Sequence, residues 1–229
     1  MPVHDGHRKR LRQRFLAEGL DNFTDVQVLE LLLFYCIARQ DTNPLAHRLL
    51  DHFGSLSQVM DAPVEELCKV EGVGENTAIY LRLVAQVSRC YLKDRVAKTK
   101  ILPPVESCAK YLQPYLIGRN VETAYLLCLD AKCKLLCCRK ISEGSVNSTE
   151  LSIRKVVETA LSANASSVLL AHNHPGGIAI PSYADIHTTM NVAAALRAVD
   201  VRLIDHLVFC DDDYVSLKQS GYLSPGTEE

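Results

Sequence analysis

One short segment, residues 172–185, constrains the fold of this chain more than any other part of the sequence. It reads HNHPGGIAIPSYAD and follows the apolar run SSVLLA at residues 166–171, which predicts a buried strand. Side chains two apart on a strand point to the same face, so His172 and His174 can reach one point while Asn173 turns away. The segment therefore predicts two imidazoles that converge at the end of a buried strand.

The second half of the segment predicts the start of a helix. Residues 175–177, Pro-Gly-Gly, break the strand, and Pro181-Ser182 opens a helix whose first turn holds Asp185. Two imidazoles and one carboxylate suit a catalytic Zn²⁺, which takes about three protein ligands and keeps one position for water. The plainer interpretation is a hydrogen-bonded surface pair of histidines next to a capping box made by Ser182 and Asp185.

The composition excludes several classes of protein. The 229 residues are 48% hydrophobic and 23% charged, and a formal net charge of −2 creates no global field for nucleic acid. No apolar run approaches the roughly 18 residues of a membrane span, and the N-terminus lacks the apolar core of a signal peptide. Nine cysteines, several within apolar runs, indicate reduced thiols. We therefore expect a cytoplasmic protein that does not enter a membrane.

The first part of the chain, residues 1–95, is predicted to be a small all-helical domain. Apolar periodicity and start signals predict helices over residues 8–20, 26–38, 43–53, 57–60, 63–69 and 76–92. A polar and then proline-rich stretch, DRVAKTKILPP, follows at residues 94–104, and we assign residues 96–104 to a linker.

A turn between the last two predicted helices suggests a helix-hairpin-helix. It carries Gly72 and Gly74 in the sequence VEGVG, and glycine allows both unusual backbone angles and close approach of a phosphate to the next helix. DNA is therefore a possible partner, and the alternative is a tight turn without a ligand. A basic run lies near the N-terminus, and such runs are most often a solvated helix face; it comprises Arg8, Lys9, Arg10, Arg12 and Arg14.

The second part of the chain, residues 105–229, is predicted to be one α/β (α+β) domain with a mixed sheet. Helices are expected over residues 105–116, 151–163 and 182–199, and strands over 124–130, 135–141, 166–171, 203–210 and 214–217. The acidic run at residues 211–213 is expected to form a hairpin loop between the last two strands.

The two halves together resemble the bacterial RadC family, in which a helical segment with a helix-hairpin-helix turn precedes a JAMM/MPN-type domain. The resemblance runs from Gly6 to Leu223. The matching motifs are VEGVGENT at residues 70–77, EGSVNST at 143–149, the segment at 171–185 and DHLV at 205–208. The order His-x-His, seven residues, Ser-x-x-Asp is the most specific of these, because chance rarely produces it.

The resemblance implies roles for particular residues. It assigns the zinc ligands to His172, His174 and Asp185, and the stabilisation of a developing oxyanion to Ser182. Such domains also use a general-base Glu at the start of an early strand, a place that Glu122 occupies here. Glu143 and Glu150 are its rivals, and we favour Glu122 because a strand holds a side chain more rigidly than a loop. Asp205 and His206 lie beside the predicted site, where one interpretation is that they support the metal ligands. A simple strand-end pair is the favoured interpretation of them.

Two positions depart from the usual RadC pattern. Gly176 stands where the family usually has Ser, which removes one hydroxyl next to the site, and Lys155 stands where it usually has Glu, which reverses a charge at a helix start. Neither position is a proposed metal ligand.

The favoured function is therefore a zinc metallopeptidase that cleaves a peptide or isopeptide bond of a protein or peptide substrate with a metal-activated water. The alternatives are a DNA-associated protein whose metal site is not catalytic, and a metal-dependent nuclease.

Overall fold

The structure is a computed structural model that describes residues 3–38, 40–97, 105–144 and 151–223. The chain divides into two compact units, Met1–Cys90 and Tyr91–Glu229. Most of the linker that we assigned to residues 96–104 lies outside the described residues, and the predicted domain limits stay a prediction.

The first unit is helical, as predicted. Its helices are α1 (Val3–Glu18), α2 (Asp25–Leu33), α3 (Asn43–Phe53), α4 (Leu56–Asp61), α5 (Val64–Leu67) and α6 (Glu75–Ala97), of which the last continues into the second unit. Its core is formed by buried side chains from α2 to α6, among them Leu29, Leu33, Leu49, Leu67 and Leu81.

Helix α2 starts at a local signal and ends earlier than predicted. The Thr24 hydroxyl accepts a hydrogen bond from Gln27 N, and the Gln27 side chain accepts one from Thr24 N, which is a capping box. The expected helix reached residue 38, but α2 ends at Leu33, and the chain tightens into turns in which Cys36 N donates to Leu33 O at 3.2 Å. An apolar run continues across this point, so periodicity alone could not place the end of the helix.

Most side chains of the basic run in α1 contact other residues of the helical unit. Arg8 donates to Ile37 O at 2.9 Å and its guanidinium lies over the Phe34 ring. Arg14 donates to Asn22 O at 2.6 Å, and Arg12 lies over the same Phe34 ring. Three of these five cations therefore have internal contacts, which a solvated face does not explain.

The second unit contains a mixed five-stranded sheet flanked by helices, which confirms the predicted fold class. The elements are α7 (Val105–Leu116), β1 (Glu122–Leu129), β2 (Leu135–Gly144), α8 (Ile153–Ser162), β3 (Ser167–Asn173), α9 (Tyr183–Arg197), β4 (Arg202–Cys210) and β5 (Asp213–Ser216). The strand order is β2-β1-β3-β4-β5, with β3 and β4 parallel and the other pairs antiparallel.

Helices cover both faces of this sheet, and the alternation of side chains decides which residue faces which layer. On one face Leu127 and Leu169 pack with α7. On the other, Leu126 and Leu170 pack with α8 and α9. His172 lies two residues beyond Leu170 and therefore belongs to the face that α8 and α9 cover. This arrangement brings the end of β3 next to the start of α9.

Two further findings concern membrane spans and cysteines. Among the described residues, no helix combines the length and the apolar character needed to cross a membrane. All nine cysteines are free thiols in this structure.

Candidate metal centre

Three side chains from the segment at residues 172–185 converge in the structure. Nε2 of His172 lies 3.3 Å from Oδ1 of Asp185, and Nε2 of His174 lies 3.3 Å from Oδ2 of the same carboxylate. The two Nε2 atoms are 2.9 Å apart. Among the described residues this is the group of His, Cys, Asp or Glu side chains that could hold a metal ion.

The spacing and the chemistry of the three donors fit zinc. Tetrahedral ligands at about 2.0–2.1 Å from zinc lie about 3.3 Å from one another. Each imidazole Nε2 lies 3.3 Å from one oxygen of the Asp185 carboxylate, and the two Nε2 atoms are closer together, at 2.9 Å. Two imidazoles and one carboxylate are the ligand set of several catalytic zinc sites, which keep one position open. The plainer interpretation, an ordinary surface pair, does not explain why His172 is 4% exposed.

Backbone contacts hold the two histidines at this point. His172 belongs to β3, where it pairs with Ala124 of β1 and Val208 of β4. The N–H of His174 donates to Phe209 O at 2.8 Å, so the pairing with β4 continues beyond the end of β3. Nδ1 of His174 lies 3.2 Å from Ile178 O. A proton on Nδ1 that bonds to this carbonyl leaves Nε2 free to bind a metal.

Ser182 and Asp185 form the predicted capping box at the start of α9. Asp185 N donates to the Ser182 hydroxyl at 3.1 Å, and Ser182 N donates to Asp185 Oδ2 at 2.7 Å. The Ser182 hydroxyl donates to the same oxygen at 2.6 Å. Burial raises the pKa of Asp185, but the neighbouring imidazoles of His172 and His174 outweigh it and hold that pKa well below its usual range. The cap and the site therefore share one carboxylate, which stays ionised.

Glu122 is the first residue of β1 and faces the cluster. It precedes Ala124, the partner of His172, by two residues and so lies on the same face of the sheet. The carboxyl is half-buried, and its pKa is raised mainly by burial, while His172 lowers it and Asp185 raises it through their charges. A carboxyl with a raised pKa beside a candidate metal site suits a general base.

The two other candidates for the general base are Glu143, which is held in ion pairs, and Glu150. Glu143 accepts a hydrogen bond from Arg119 at 2.9 Å and forms an ion pair with Lys140. The hydrogen bond from Lys140 is the main cause of the lowered pKa of Glu143. These ion pairs make Glu143 a poorer proton acceptor than Glu122. Glu150 lies outside the described residues.

Asn173 turns away from the histidines, as expected, and has a function that the sequence did not reveal. Its Oδ1 accepts a hydrogen bond from Thr123 N at 2.9 Å, and its Nδ2 donates to Val121 O at 3.2 Å. These two contacts lie on either side of Glu122. Asn173 therefore fastens the start of β1 from the opposite face of the sheet.

Asp205 and His206 are not a strand-end pair, and that interpretation is wrong. Both are buried within β4. Asp205 accepts hydrogen bonds from Lys218 N at 3.0 Å and Ser216 Oγ at 2.5 Å, and so holds the end of β5 and the chain that follows it. His206 instead lies against the site, with Nε2 2.8 Å from His172 Nδ1.

Thr189 is a further residue that the sequence analysis missed. Its hydroxyl lies 2.5 Å from His206 Nδ1 and 2.5 Å from the backbone O of Asp185. Thr189 is one α-helical turn after Asp185, so a polar residue at this spacing on a buried helix face was the available signal. Burial and the neighbouring His172 lower the pKa of His206 well below its ordinary value, so its ring is neutral at pH 7.

The structure shows the local conformation and contacts of the two residues that depart from the RadC pattern, Gly176 and Lys155. Gly176 is exposed and has a φ of 64°, a conformation that favours glycine. The backbone N–H of Lys155 donates to the Ser152 hydroxyl, as part of the cap of α8, and its ammonium donates to Ile141 O of β2. Neither residue belongs to the group of three donors.

The mixed sheet, with a His-x-His pair at the end of one strand and Ser-x-x-Asp at the start of the next helix, defines an α+β domain of the JAB/MPN-like class. The RadC-like JAB domain family matches residues 103–222, and the UPF0758 N-terminal family matches residues 6–79. The chain belongs to this RadC-like, UPF0758 family.

Two relatives show how far the similarity extends. The UPF0758 protein SPO0054 of Ruegeria pomeroyi is 36% identical over 217 residues, which are 95% of this chain and 97% of that protein. The UPF0758 protein FN0909 of Fusobacterium nucleatum subsp. nucleatum is 30% identical over 227 residues, which are 96% of this chain and 98% of that protein. The similarity therefore covers both units of the chain.

Proposed function

We propose that this protein is a zinc-dependent hydrolase that cleaves a peptide or isopeptide bond in a protein or peptide substrate. The observation that carries the proposal is the convergence of His172, His174 and Asp185 at zinc-ligand spacing. The membership of the JAB-domain family supports the same chemistry. The free cysteines support a cytoplasmic location, because thiols stay reduced there.

Each residue at the site has a distinct task in this proposal. When bound, zinc lowers the pKa of a coordinated water to about 7 and polarises the substrate carbonyl. Glu122 accepts the proton of the attacking water and passes it to the leaving amine. Ser182 donates a hydrogen bond to the developing oxyanion, and to do so it must release Asp185 Oδ2, to which it now donates.

Amide cleavage by the Glu122→Gln variant tests this assignment. Zinc-loaded protein is incubated with a peptide library, and new amino termini are counted by mass spectrometry. We expect wild type to cleave, Glu122→Gln to lose about 10²–10⁴-fold in rate, and the zinc content to stay unchanged. Glu143→Gln is the matched control, because Glu143 is tied to Arg119 and Lys140. Full activity of Glu122→Gln would contradict the assignment.

DNA binding by the helical unit is a second candidate function, and Gly74 favours it. Gly72 has a φ of 93°, so the turn itself requires glycine there. Gly74 has no positive φ, and an added Cβ would meet nothing within 4 Å. The fold therefore does not require glycine at this position, whereas close approach of a phosphate to the start of α6 would explain it.

Fluorescence anisotropy with a labelled DNA duplex tests the second candidate. If the helical unit binds DNA through this turn, the affinity for the duplex should fall steeply as the salt concentration rises. The affinity of Gly74→Ala should be lower than that of wild type, while thermal unfolding of that variant is unchanged. Absence of binding at low salt, or equal binding by wild type and Gly74→Ala, would exclude this use of the turn.

A further inference from the structure

A line of buried hydrogen bonds runs behind the metal site and joins two of its ligands. It begins at His172 Nδ1, which lies 2.8 Å from His206 Nε2. It continues from His206 Nδ1 to the Thr189 hydroxyl at 2.5 Å, and from that hydroxyl to the backbone O of Asp185 at 2.5 Å. His206 is 3% exposed and Thr189 is 1% exposed, so water does not compete for these bonds.

The direction of each hydrogen bond follows from counting donors. A metal at His172 Nε2 requires the lone pair of that nitrogen, so the ring proton of His172 must sit on Nδ1 and point to His206. His206 Nε2 must then accept, which leaves its own proton on Nδ1, where it points to Thr189. The Thr189 hydroxyl accepts from His206 and donates to the carbonyl of Asp185, which can only accept. Every donor has one acceptor.

The opposite direction is incompatible with a metal ligand. If His206 carried its proton on Nε2, it would donate to His172 Nδ1, and the proton of His172 would move to Nε2. That proton would occupy the lone pair that faces His174 and Asp185. The carbonyl of Asp185, by accepting the Thr189 proton, therefore selects the direction of the whole line.

We propose that His206 and Thr189 are positioning residues that fix the metal-binding tautomer of His172. The inference rests on the proposed function, because it concerns the same site. His206 acts through His172 and Thr189 acts through His206, so neither residue touches substrate. Partners of this kind orient metal-binding histidines, and their loss typically weakens metal binding by about 10–100-fold.

Zinc affinity, measured by competition with a chromophoric chelator at pH 7, separates this proposal from a packing role. We expect Thr189→Val to bind zinc about 10–100-fold more weakly, although it preserves the shape and removes no ligand. Thr189→Ser, which keeps the hydroxyl, should bind like wild type. His206→Leu should lose affinity, while His206→Gln, which retains an acceptor, should recover part of it.

A matched control exists on α8, where the Thr159 hydroxyl donates to Lys155 O at 2.6 Å, four residues earlier. Thr159→Val loses the same kind of contact within a different helix, outside the line of hydrogen bonds behind the ligands, and should leave zinc affinity unchanged. Circular dichroism establishes that each variant is folded.

Nitrogen-15 NMR of the imidazoles in zinc-loaded wild type gives a readout that needs no variant. The expected spectrum has the protons of His172 and His206 on Nδ1. A proton on Nε2 of His206, or unchanged zinc affinity in folded Thr189→Val, overturns the inference. If wild type binds no zinc at all, the proposed function fails instead, so the two failures are distinguishable.

Discussion

The side chain of Asn173 accepts a 2.9 Å hydrogen bond from the backbone N–H of Thr123, a residue 50 positions earlier in the chain. Asn173 lies between the two histidines of the site, and Thr123 follows Glu122. A second contact, from Asn173 Nδ2 to Val121 O at 3.2 Å, holds the residue before Glu122. One strand end thus presents two candidate ligands on one face and holds the candidate base from the other.

Replacing Asn173 should separate base positioning from metal binding. In Asn173→Leu the Thr123 N–H is buried without a partner, which costs about 1–3 kcal/mol of unfolding free energy. We expect the rate of amide cleavage to fall more than the zinc affinity does, because His172 and His174 keep their own backbone contacts. Denaturant unfolding, chelator competition and a cleavage assay measure the three quantities.

The control for this prediction is Asn191→Leu, since Asn191 is an exposed residue of α9 that contacts His187. If Asn173→Leu cleaved substrate at the wild-type rate, the contacts with Val121 and Thr123 would have no part in holding Glu122.

Substitution of Ser182 should reveal whether this residue does more than cap a helix. Loss of an N-cap hydroxyl typically costs about 0.5–2 kcal/mol of stability. Ser152 caps α8 in the same way, by accepting from Lys155 N. We expect Ser182→Ala and Ser152→Ala to lose similar stability, whereas only Ser182→Ala should lose about 10²-fold or more in cleavage rate.

Thermal or denaturant unfolding and a cleavage assay on both variants check this expectation. Equal cleavage rates in the two would leave Ser182 with the capping role alone.

Cys128 and Cys138 of the second unit should differ sharply in reactivity from Cys68 and Cys90 of the first. Burial raises the pKa of Cys128 to about 12 and that of Cys138 to about 12, and alkylation requires the thiolate. Cys68 and Cys90 are exposed. At pH 8 iodoacetamide should label Cys68 and Cys90 in the native protein, while Cys128 and Cys138 should react only in denaturant.

Peptide mass spectrometry after timed labelling reports each site separately. Equal rates for Cys128 and Cys68 in the native protein would show that the strand bearing Cys128 is open to solvent.

The three candidate ligands could be predicted because they lie close together in sequence. His172 and His174 share a face through the period of a strand, and Asp185 follows a helix start signal in the same segment. Glu122 needed the resemblance to RadC proteins, since spacing alone does not bring a residue 50 positions away to the same face.

The residues behind the ligands were missed or misjudged for a physical reason. His206 contacts His172 only because β3 and β4 pair in parallel, in the register that sets Ala171 opposite Leu207. Asn173 depends in the same way on the pairing of β3 with β1. Which strands pair, when they are far apart in sequence, is a property of the whole sheet and cannot be predicted from local sequence patterns.

The metal content of the purified protein tests the central claim most directly. Elemental analysis after zinc loading and removal of free metal is applied to wild type, His174→Ala and His187→Ala. His187 is the control because it is an exposed histidine two residues after Asp185, outside the group of three donors. We predict about one zinc per chain in wild type and His187→Ala, and loss of that zinc in His174→Ala. A wild type without zinc, or a His174→Ala variant that keeps it, would contradict the assignment of this site.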